Sequence, residues 1–405
     1  MAQNPDVIVI GAALSGLTAA LALGGSKTRR PFNVLVVDAR DPQSFLPDGR
    51  ASAITASGKA MFEALGVWPS LVPHAQPIAD ISVTDAAVGA DDRPSLLHFG
   101  ETGTSAAMIE NRHLHQGLLA AAKQSPHITF QTGSPVTDYN FQPGLARITT
   151  AEGASFRGPL IIAADGANSR ARAAAGIAMH GWNYGQTGLV ATIAHELPHH
   201  GLAEEHFTPS GPFAILPLPG NRSSLVWTEW RDDAAKLLAL DDAGFLDEIS
   251  RRFGNRRGAI SLEGGRHAYP LSMFIAEEFT GPRLALIGDA AHVVHPLAGL
   301  GFNLGLRDAA ALAECVHDAF ALGSDPGGDA VLARYTRWRR FDTVTTAMAL
   351  DGLNRLFAND NPALKALRDT GLSMVNKIPP LKSLFVTQAA GQSGSLPKLM
   401  RGEVI

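Results

Sequence analysis

The chain has 405 residues, of which 45% are hydrophobic and 18% charged, and its formal net charge is -4. This composition is typical of a soluble globular protein of two or three domain-sized units, and it excludes disordered, collagen-like and coiled-coil chains. It also argues against nucleic acid as the main partner, because phosphate backbones attract a clustered surplus of Lys and Arg.

The first predicted element is a βαβ unit. Residues 7–10 predict a strand, a glycine-containing turn follows, and residues 17–23 predict a helix. Residues 33–37 are a continuous apolar run, as in a parallel strand that is buried on both faces, and the run ends in Asp38. Such a unit is right-handed and places the turn at the carboxyl edge of a parallel sheet.

The turn itself reads Gly11-x-Ala13-x-x-Gly16, which resembles the dinucleotide-binding fingerprint. Ala13 departs from that pattern, since its methyl group reduces the clearance near the phosphates of a ligand. Asp38 follows Gly16 by 22 residues, at a position where a carboxylate can accept a hydrogen bond from a ribose hydroxyl. The alternatives are a plain tight turn and an ordinary polar strand end.

A second buried strand is predicted over residues 159–164, and it leads directly into Asp165-Gly166. The segment places a carboxylate and a flexible glycine where a helix can begin, with Ser169 as its cap. By itself the segment could be only a capped turn.

A third strand over residues 283–287 runs into Asp289. Beyond it, Gly299 and Gly301 precede a long helix that is predicted to begin near Asn303. Unpaired backbone N–H groups and the positive end of that helix would point at whatever lies in front of them. We therefore expect an anion or an electron-rich ring at this position.

The remaining chain predicts an inserted β-rich domain and closing helices. Residues 180–275 contain alternating runs such as 213–217 and 223–228 between Gly-Pro and Pro-Gly-Asn turns, which favours a mostly antiparallel sheet. The predicted fold class is therefore α/β: a Rossmann-like domain interrupted by an antiparallel sheet, with C-terminal helices over residues 305–322 and 343–390. The predicted boundaries assign residues 1–75, 100–179 and 276–342 to the nucleotide-binding domain, 76–99 and 180–275 to a substrate domain, and 343–405 to a C-terminal helical region.

Taken together, these motifs resemble the flavin-dependent aromatic hydroxylases with the para-hydroxybenzoate hydroxylase fold. The carrying features are, in order, the Gly11 turn, Asp165-Gly166, and Gly288-Asp289 followed by His295-Pro296 and the Gly299 turn. Over nearly the whole chain the sequence is similar to the ubiquinone-biosynthesis hydroxylases, most of all to the branch of the 2-polyprenyl-6-methoxyphenol hydroxylases. The segments that carry this second likeness include Asp48-Gly49-Arg50-Ala51, Gly66-Val67-Trp68, Glu205-His206-Phe207-Thr208, Ala268-Tyr269-Pro270-Leu271 and Gly301-Phe302-Asn303-Leu304-Gly305-Leu306-Arg307-Asp308.

The resemblance implies FAD as the cofactor. The residues implied are Asp38 on the adenosine ribose, Arg50 and Arg112 near the pyrophosphate and ribityl chain, Asp289 on ribityl hydroxyls, Asp165 as support of the binding loop, the backbone from Gly299 to Asn303 at the pyrimidine end of the flavin, and Pro296 over its reacting edge. Leu300 departs from the glutamine that this branch usually carries between the two glycines.

The reaction implied is monooxygenation, in which a C4a-hydroperoxide of the reduced flavin delivers oxygen to the ring of a polyprenyl phenol. O₂ is the second substrate, and NAD(P)H or a reductase is expected to supply the electrons. The protein must add a dry cavity and hold the ring in reach. The alternatives are a hydroxylase of a small soluble aromatic and a non-catalytic flavoprotein that scaffolds a biosynthetic complex.

The inserted sheet is the predicted wall of that cavity. The expected lining residues are Tyr184, Phe213, Ile215, Leu216, Pro217 and Trp227. Each of them could equally belong to the core of the sheet. Candidates for the base that deprotonates the phenol are His206, Tyr184 and His295, and we expect no metal, because the histidine pairs lack the spacing of a metal site.

The C-terminal segment 362–405 has a positive net charge, with six basic and two acidic residues interspersed with large apolar ones. Because a polyprenyl phenol is nearly insoluble, we expect this segment to contact a membrane surface or a partner in a biosynthetic complex. The alternative is a helix packed on the body of the protein. The chain has no signal-like N-terminus and no apolar run of about 18 residues, so we expect a cytoplasmic protein, with peripheral association with the inner membrane.

Overall fold

The computed structural model of the protein describes residues 4–45, 48–85, 97–98, 106–254, 256–358 and 394–405. The strands are β1 (Val7–Ile10), β2 (Val34–Asp38), β3 (Ala51–Ile54), β4 (Gln76–Pro77), β5 (Asp80–Asp85), β6 (Leu97–His98), β7 (Ala107–Glu110), β8 (Ile128–Thr132), β9 (Val136–Phe141), β10 (Ala146–Thr150), β11 (Ser155–Gly158), β12 (Leu160–Ala163), β13 (Met179–His195), β14 (Leu202–Thr208), β15 (Gly211–Leu218), β16 (Arg222–Trp230), β17 (Ile260–Ala276), β18 (Thr280–Gly281), β19 (Leu284–Leu286) and β20 (His292–Val293). The helices are α1 (Leu14–Gly24), α2 (Ala56–Ala64), α3 (Trp68–Leu71), α4 (Asn111–Gln124), α5 (Arg170–Ala174), α6 (Arg231–Ala239), α7 (Asp242–Phe253), α8 (Leu300–Ala321) and α9 (Asp329–Phe357).

A mainly parallel sheet forms the centre of the nucleotide-binding part. Its strand order is β18-β19-β12-β1-β2-β8, and only β18 pairs antiparallel with its neighbour. Every residue of β1, β2 and β12 is buried, because helices cover both faces of a parallel sheet. The βαβ unit predicted from the first 38 residues is confirmed as β1, α1 and β2.

The second large sheet has the order β20-β17-β13-β16-β15-β14-β5-β6 among the described residues. Its pairs are antiparallel except for β14 with β5. The mostly antiparallel sheet predicted for residues 180–275 is confirmed, and it also takes up the short strands β5, β6 and β20.

Two helices cover one face of this sheet, and α9 lies at the other. Phe245, Ile249 and Phe253 of α7 pack against Trp227 of the sheet. At the opposite side, the C-terminal half of α9 is joined to β13, since Trp182 Nε1 donates to Asp351 at 3.2 Å. The domain boundary predicted after residue 342 falls inside α9.

The last described segment, 394–405, packs on the nucleotide-binding part. Leu399 and Met400 are buried in its core, and Lys398 Nζ lies 3.1 Å from Asp318 Oδ1. Arg401 pairs with Glu403. The alternative of packing on the body therefore holds for this end of the basic segment, while residues 359–393 lie outside the described residues.

Candidate active site

The glycine turn is required by close packing at the end of β1. Gly11 has a φ of +107°, and a Cβ there would lie 2.3 Å from the carbonyl oxygen of Ala164. A Cβ on Gly16 would lie 1.9 Å from the carbonyl oxygen of Gly11. Helix α1 begins after Ala13 with no side-chain cap and no acidic residue in its first turn, as far as the described residues go. Its N–H groups are therefore available to an anion such as a pyrophosphate.

Asp38 is held at the mouth of this turn. One carboxylate oxygen accepts from the Ala12 N–H at 2.7 Å, and the other accepts from the Arg40 N–H at 2.8 Å. A carboxylate has about four acceptor positions, so two remain for the hydroxyls of a sugar. This geometry fits the ribose contact that the sequence predicts.

Asp289 lies deep in the molecule, but its side chain is only partly covered by neighbouring atoms. It therefore lines an interior space rather than the outer surface. Burial raises the pKa of Asp289, while the positive charges of His292 and Arg50 act in the opposite direction. A partly uncovered carboxyl in a deep cavity suits hydroxyl ligands such as a ribityl chain.

A buried ion network, which sequence reasoning missed, fixes the turn that carries Asp289. Asp308 accepts from the Gly288 N–H at 3.0 Å, from His292 Nε2 at 2.6 Å and from Arg339 Nε at 2.8 Å. Although burial opposes it, His292 and Arg339 lower the pKa of Asp308 to about 2. A permanent carboxylate thus ties the turn to α8 and α9.

The Asp165 segment supports the same turn from the other side. Asp165 accepts from the Arg170 N–H at 2.8 Å at the start of α5, and Ser169 accepts from the Arg172 N–H at 3.0 Å, which confirms the predicted cap. The Arg172 guanidinium then donates to the carbonyl oxygen of Ala290 at 2.9 Å. Asp165 thus orders the start of α5, and α5 in turn contacts the turn that carries Asp289.

The N-terminus of α8 is open, because Gly299 adopts a left-handed φ of +62° and the described residues offer it no side-chain cap. The nearest atom to a Cβ on Gly301 is 3.8 Å away. The Asn303 side chain is fully used within the protein, since it donates to Ala53 O at 2.7 Å and accepts from Thr55 N at 3.1 Å. Asn303 therefore fixes the loop and leaves its backbone to face a ligand. The side chain of Leu300 lies outside what the structure describes.

The two predicted arginines are paired with carboxylates. Arg50 binds Asp48 through two hydrogen bonds of 2.9 and 2.7 Å. Arg112 donates to Glu110 at 2.8 Å, and Arg222 of the large sheet binds the same carboxylate at 3.2 Å. Arg50 acts electrostatically on Asp289, whereas Arg112 belongs to a cluster that joins β7 of a small three-stranded sheet to β16 of the large sheet.

Much of the predicted cavity wall belongs to the core instead. Phe213, Ile215 and Trp227 are at most 2% exposed and pack under helices α6 and α7. Successive side chains of a strand alternate between faces, so Pro217 falls on that same side and Leu216 on the opposite one. Leu216 packs against the same small cluster as Ala53, which lies next to the start of α8. Of the five predicted wall residues on β15 and β16, only Leu216 faces the nucleotide-binding part.

An apolar cluster on the face opposite α6 and α7 lies beside Pro296. Its buried members are Phe207, Leu297, Leu350 and Phe357, and the rings of Phe207 and Phe357 stack with their centroids 3.8 Å apart. Val83 and Val294 pack against it. We call this group the apolar cluster below.

His295 and Tyr184 come together next to this cluster. Their ring centroids are 5.2 Å apart, and His295 is 1% exposed. Burial lowers the pKa of His295 to about 4, so the ring is neutral near pH 7. Its Nδ1 accepts from the Leu297 N–H at 3.2 Å, which places the proton on Nε2. Nε2 has no partner among the described residues, so His295 presents a donor and not a base.

Asn354 of α9, which sequence reasoning missed, presents an acceptor in the same region. Gln186 Nε2 donates to Ser210 O at 2.7 Å, so its oxygen faces Asn354 and accepts from Nδ2 at 3.1 Å. Asn354 Oδ1 is therefore turned away, and it is buried without a donor among the described residues. Each such unpaired group costs about 1–3 kcal/mol, which favours a ligand or water at this place.

His206 does not join this group. It lies on β14, its Nδ1 is 2.6 Å from Thr84 Oγ1, and its ring stacks on Phe213 in the core. The structure thus brings together two of the three predicted candidates for the base and separates the third.

Comparison with known proteins identifies the family. The model of the family described as FAD binding domain matches residues 4–345. The ubiquinone hydroxylase UbiL of Rhodospirillum rubrum is 41% identical, and the match covers 98% of this chain and 92% of that protein. The 3-demethoxyubiquinol 3-hydroxylase of Escherichia coli is 32% identical over 96% of this chain and 99% of its own length.

Among solved structures, the p-nitrophenol 4-monooxygenase PnpA of Pseudomonas putida superimposes with a TM-score of 0.80 at 19% identity. The match covers 96% of this chain and 99% of that one. At this identity the likeness concerns the fold, and it confirms the predicted fold class.

Proposed function

The chain belongs to the family of FAD-dependent monooxygenases that includes the ubiquinone hydroxylases, and on that premise we propose that it hydroxylates the ring of a polyprenyl phenol in ubiquinone biosynthesis. One observation carries the choice of substrate. The chain segments that form the apolar cluster beside Pro296 also carry the buried donor of His295 and the buried acceptor of Asn354. An apolar chain with a polar ring at one end matches that arrangement.

The residues present fit FAD. The open N-terminus of α1 and the carboxylate of Asp38 suit its pyrophosphate and ribose, and Asp289 suits the ribityl chain. The open N-terminus of α8 carries a positive dipole, which would favour negative charge on a reduced cofactor bound in front of it. When bound, FAD supplies the activation of O₂ and the transfer of one oxygen atom.

The chain's own contribution is to orient the ring and exclude water. The apolar cluster surrounds a site near Pro296 with side chains that bind no water, and His295 Nε2–H is placed to hold an oxygen of the ring. Electrons come from NAD(P)H or from a reductase.

Association with a membrane surface belongs to the same proposal. Among the described residues, no helix is both long and apolar enough to cross a bilayer. Helix α9, however, exposes 80% of Phe341 and 50% of Met348. Arg337 and Arg340 lie on the same exposed side. Apolar side chains next to cations are suited to an anionic membrane interface, from which an insoluble substrate can enter.

The experiment is to purify the protein, record its visible spectrum, and identify the released nucleotide by mass. We expect stoichiometric FAD, and hydroxylation of a prenylated 2-methoxyphenol that requires O₂ and a reductant. Turnover of small soluble phenols with no gain from the prenyl chain would favour the second enzyme function. A holoprotein that binds FAD but hydroxylates neither class would favour the scaffold.

A further inference from the structure

Glu205 lies on the strand face that borders the site. It is the register partner of Ala214 on β15 and of Val83 on β5, and its strand neighbours on the same face are Ala203 and Phe207. Val83 and Phe207 belong to the apolar cluster around Leu297.

The position of Ala203 is a second indication of where Glu205 lies. Ala203 packs in a cluster with Ala53, and Ala53 approaches Gly299 at the start of α8. Glu205 therefore lies between side chains that flank residues 297–299, near the N-terminal end of α8.

The Glu205 carboxyl is surrounded by protein and lacks a polar partner within the described part of the chain. The residue lies deep in the molecule, yet part of its surface is not covered by neighbouring atoms. Its carboxyl forms no hydrogen bond or ion pair with any residue of the described ranges. Burial alone raises the pKa of Glu205 to about 7.

Charged groups near Glu205 are directed elsewhere. On its own strand, Glu204 faces the opposite side and is bound to Arg257, and His206 faces that side too. On α9, Asp351 pairs with Arg355. The elements packed against Glu205 present Val83, Ala214 and Leu297, none of which titrates.

We infer that Glu205 is the catalytic base that removes the proton from the ring hydroxyl of the substrate. This inference rests on the proposed function. His295 offers only a donor toward the site, and burial with the neighbouring Asp351 carboxylate raises the pKa of Tyr184, which keeps it protonated. Glu205 is the carboxylate on this face that has no other partner within the described residues.

The step is a proton transfer and needs no oxidant. The O–H bond of the phenol breaks, an O–H bond forms on the Glu205 carboxylate, and the electron pair stays on the phenolate oxygen. The negative charge spreads to the ring carbons and makes them more nucleophilic toward an electrophilic oxygen. The proton is later consumed in the water that monooxygenation releases. A carboxyl with a pKa near the working pH is well matched to this exchange.

The test compares Glu205→Gln with Glu204→Gln in the FAD-loaded protein. The substrates are 2-prenylphenol, whose pKa is about 10 like that of tyrosine, and a difluorinated 2-prenylphenol that ionises at lower pH. For 2-prenylphenol we expect Glu205→Gln to slow hydroxylation about 100- to 1000-fold, and for the difluorinated phenol by less than about tenfold. Flavin reduction and FAD content should not change. Any loss in Glu204→Gln should be equal for both phenols.

Equal losses for the two phenols in Glu205→Gln, or no loss, would overturn the inference while the hydroxylase function stands. Glu205→Asp serves as a second variant, because it keeps the carboxylate and should retain more activity than Glu205→Gln for 2-prenylphenol. If Glu205→Asp is as slow as Glu205→Gln with both phenols, the inference also fails. If the wild-type protein hydroxylates neither phenol, the proposed function fails and the inference with it.

Discussion

The two faces of the large antiparallel sheet differ in how their polar groups are treated. On the face under α6 and α7, Trp227 Nε1 donates to Glu229 at 3.0 Å, and Glu204 is bound to Arg257. On the face toward α9, Glu205 and Thr228 Oγ1 have no partner among the described residues. Polar groups in a protein core are normally paired. We therefore expect the face with unpaired polar groups to be the one that binds a ligand.

The difference arises because successive residues of a strand point to opposite faces of the sheet. Glu204 and Glu205 are neighbours in sequence, but Glu204 is paired with Arg257, whereas Glu205 is buried among apolar side chains. The alternation of a strand thus divides the sheet into a side that stabilises the protein and a side that serves its chemistry. Substitutions on the two sides should therefore separate stability from activity.

The largest expected change in stability is on the core face. Trp227→Ala should lower the free energy of unfolding by about 3–5 kcal/mol, because it leaves a large cavity under α6 and α7. The rate per FAD-loaded molecule should stay near that of the wild type. Urea unfolding and single-turnover hydroxylation measure the two quantities. If the folded variant instead loses affinity for the substrate, Trp227 lines the substrate site.

Glu205→Gln should change stability in the opposite direction, and only at high pH. The pKa of Glu205 in the folded protein is about 7, above its ordinary value of 4.5. The stability associated with the protonated carboxyl is therefore full below about pH 4.5 and is lost as the pH rises through 7. Above pH 7 the variant should be more stable than the wild type by about 2–3 kcal/mol, and at pH 5 by little.

Unfolding curves at pH 5 and pH 8 give the measurement for this prediction. Glu204→Gln is the matched control, and it should be destabilised at both pH values because it breaks the pair with Arg257. A gain in Glu205→Gln that is equal at both pH values would contradict the burial of an ionising carboxyl at this position.

His295→Phe tests the polar end of the site. Removal of the Nε2–H donor should weaken the binding of 2-prenylphenol about tenfold, which corresponds to one hydrogen bond, and leave the binding of prenylbenzene unchanged. Quenching of flavin fluorescence by the two ligands measures both affinities. The exposed His180 is the control, and His180→Phe should alter neither affinity. Equal weakening for both ligands would mean that His295 acts through packing alone.

The smallest expected effect concerns the outer side of α9. Arg337→Gln should reduce binding to vesicles that contain anionic lipid about fivefold at low salt, since one cation near such a surface contributes about 1 kcal/mol. Arg30→Gln, at another exposed arginine, is the control. Co-sedimentation with vesicles measures the binding. An equal loss in both variants would place the contact elsewhere on the protein.

The nucleotide-binding part could be predicted from the sequence because its signals are local. The Gly11 turn, Asp38 and the Asp165 segment each directly follow a buried strand, and the order of a parallel sheet brings the strand ends to one edge. The Ser169 cap is likewise contained in four consecutive residues.

The rest of the site depends on contacts that no short segment contains. Asp308 meets Arg339 across 31 residues, and a carboxylate in a helical pattern gives no sign of burial. Alternation in β14 to β16 separates two faces, but only the position of α6 and α7 decides which face is the core. Alternation alone therefore leaves Phe213 and Trp227 open between the wall of the site and the core, and it indicates no role for Glu205.

The most direct test of ring hydroxylation by this protein is the origin of the oxygen atom added to the substrate. The FAD-loaded protein is supplied with a reductant, a prenylated 2-methoxyphenol and ¹⁸O₂ in ordinary water, and the product is analysed by mass spectrometry. We expect one ¹⁸O atom in the product, bound to a ring carbon. A product that carries only ¹⁶O, or an unchanged phenol while O₂ is consumed, would contradict it.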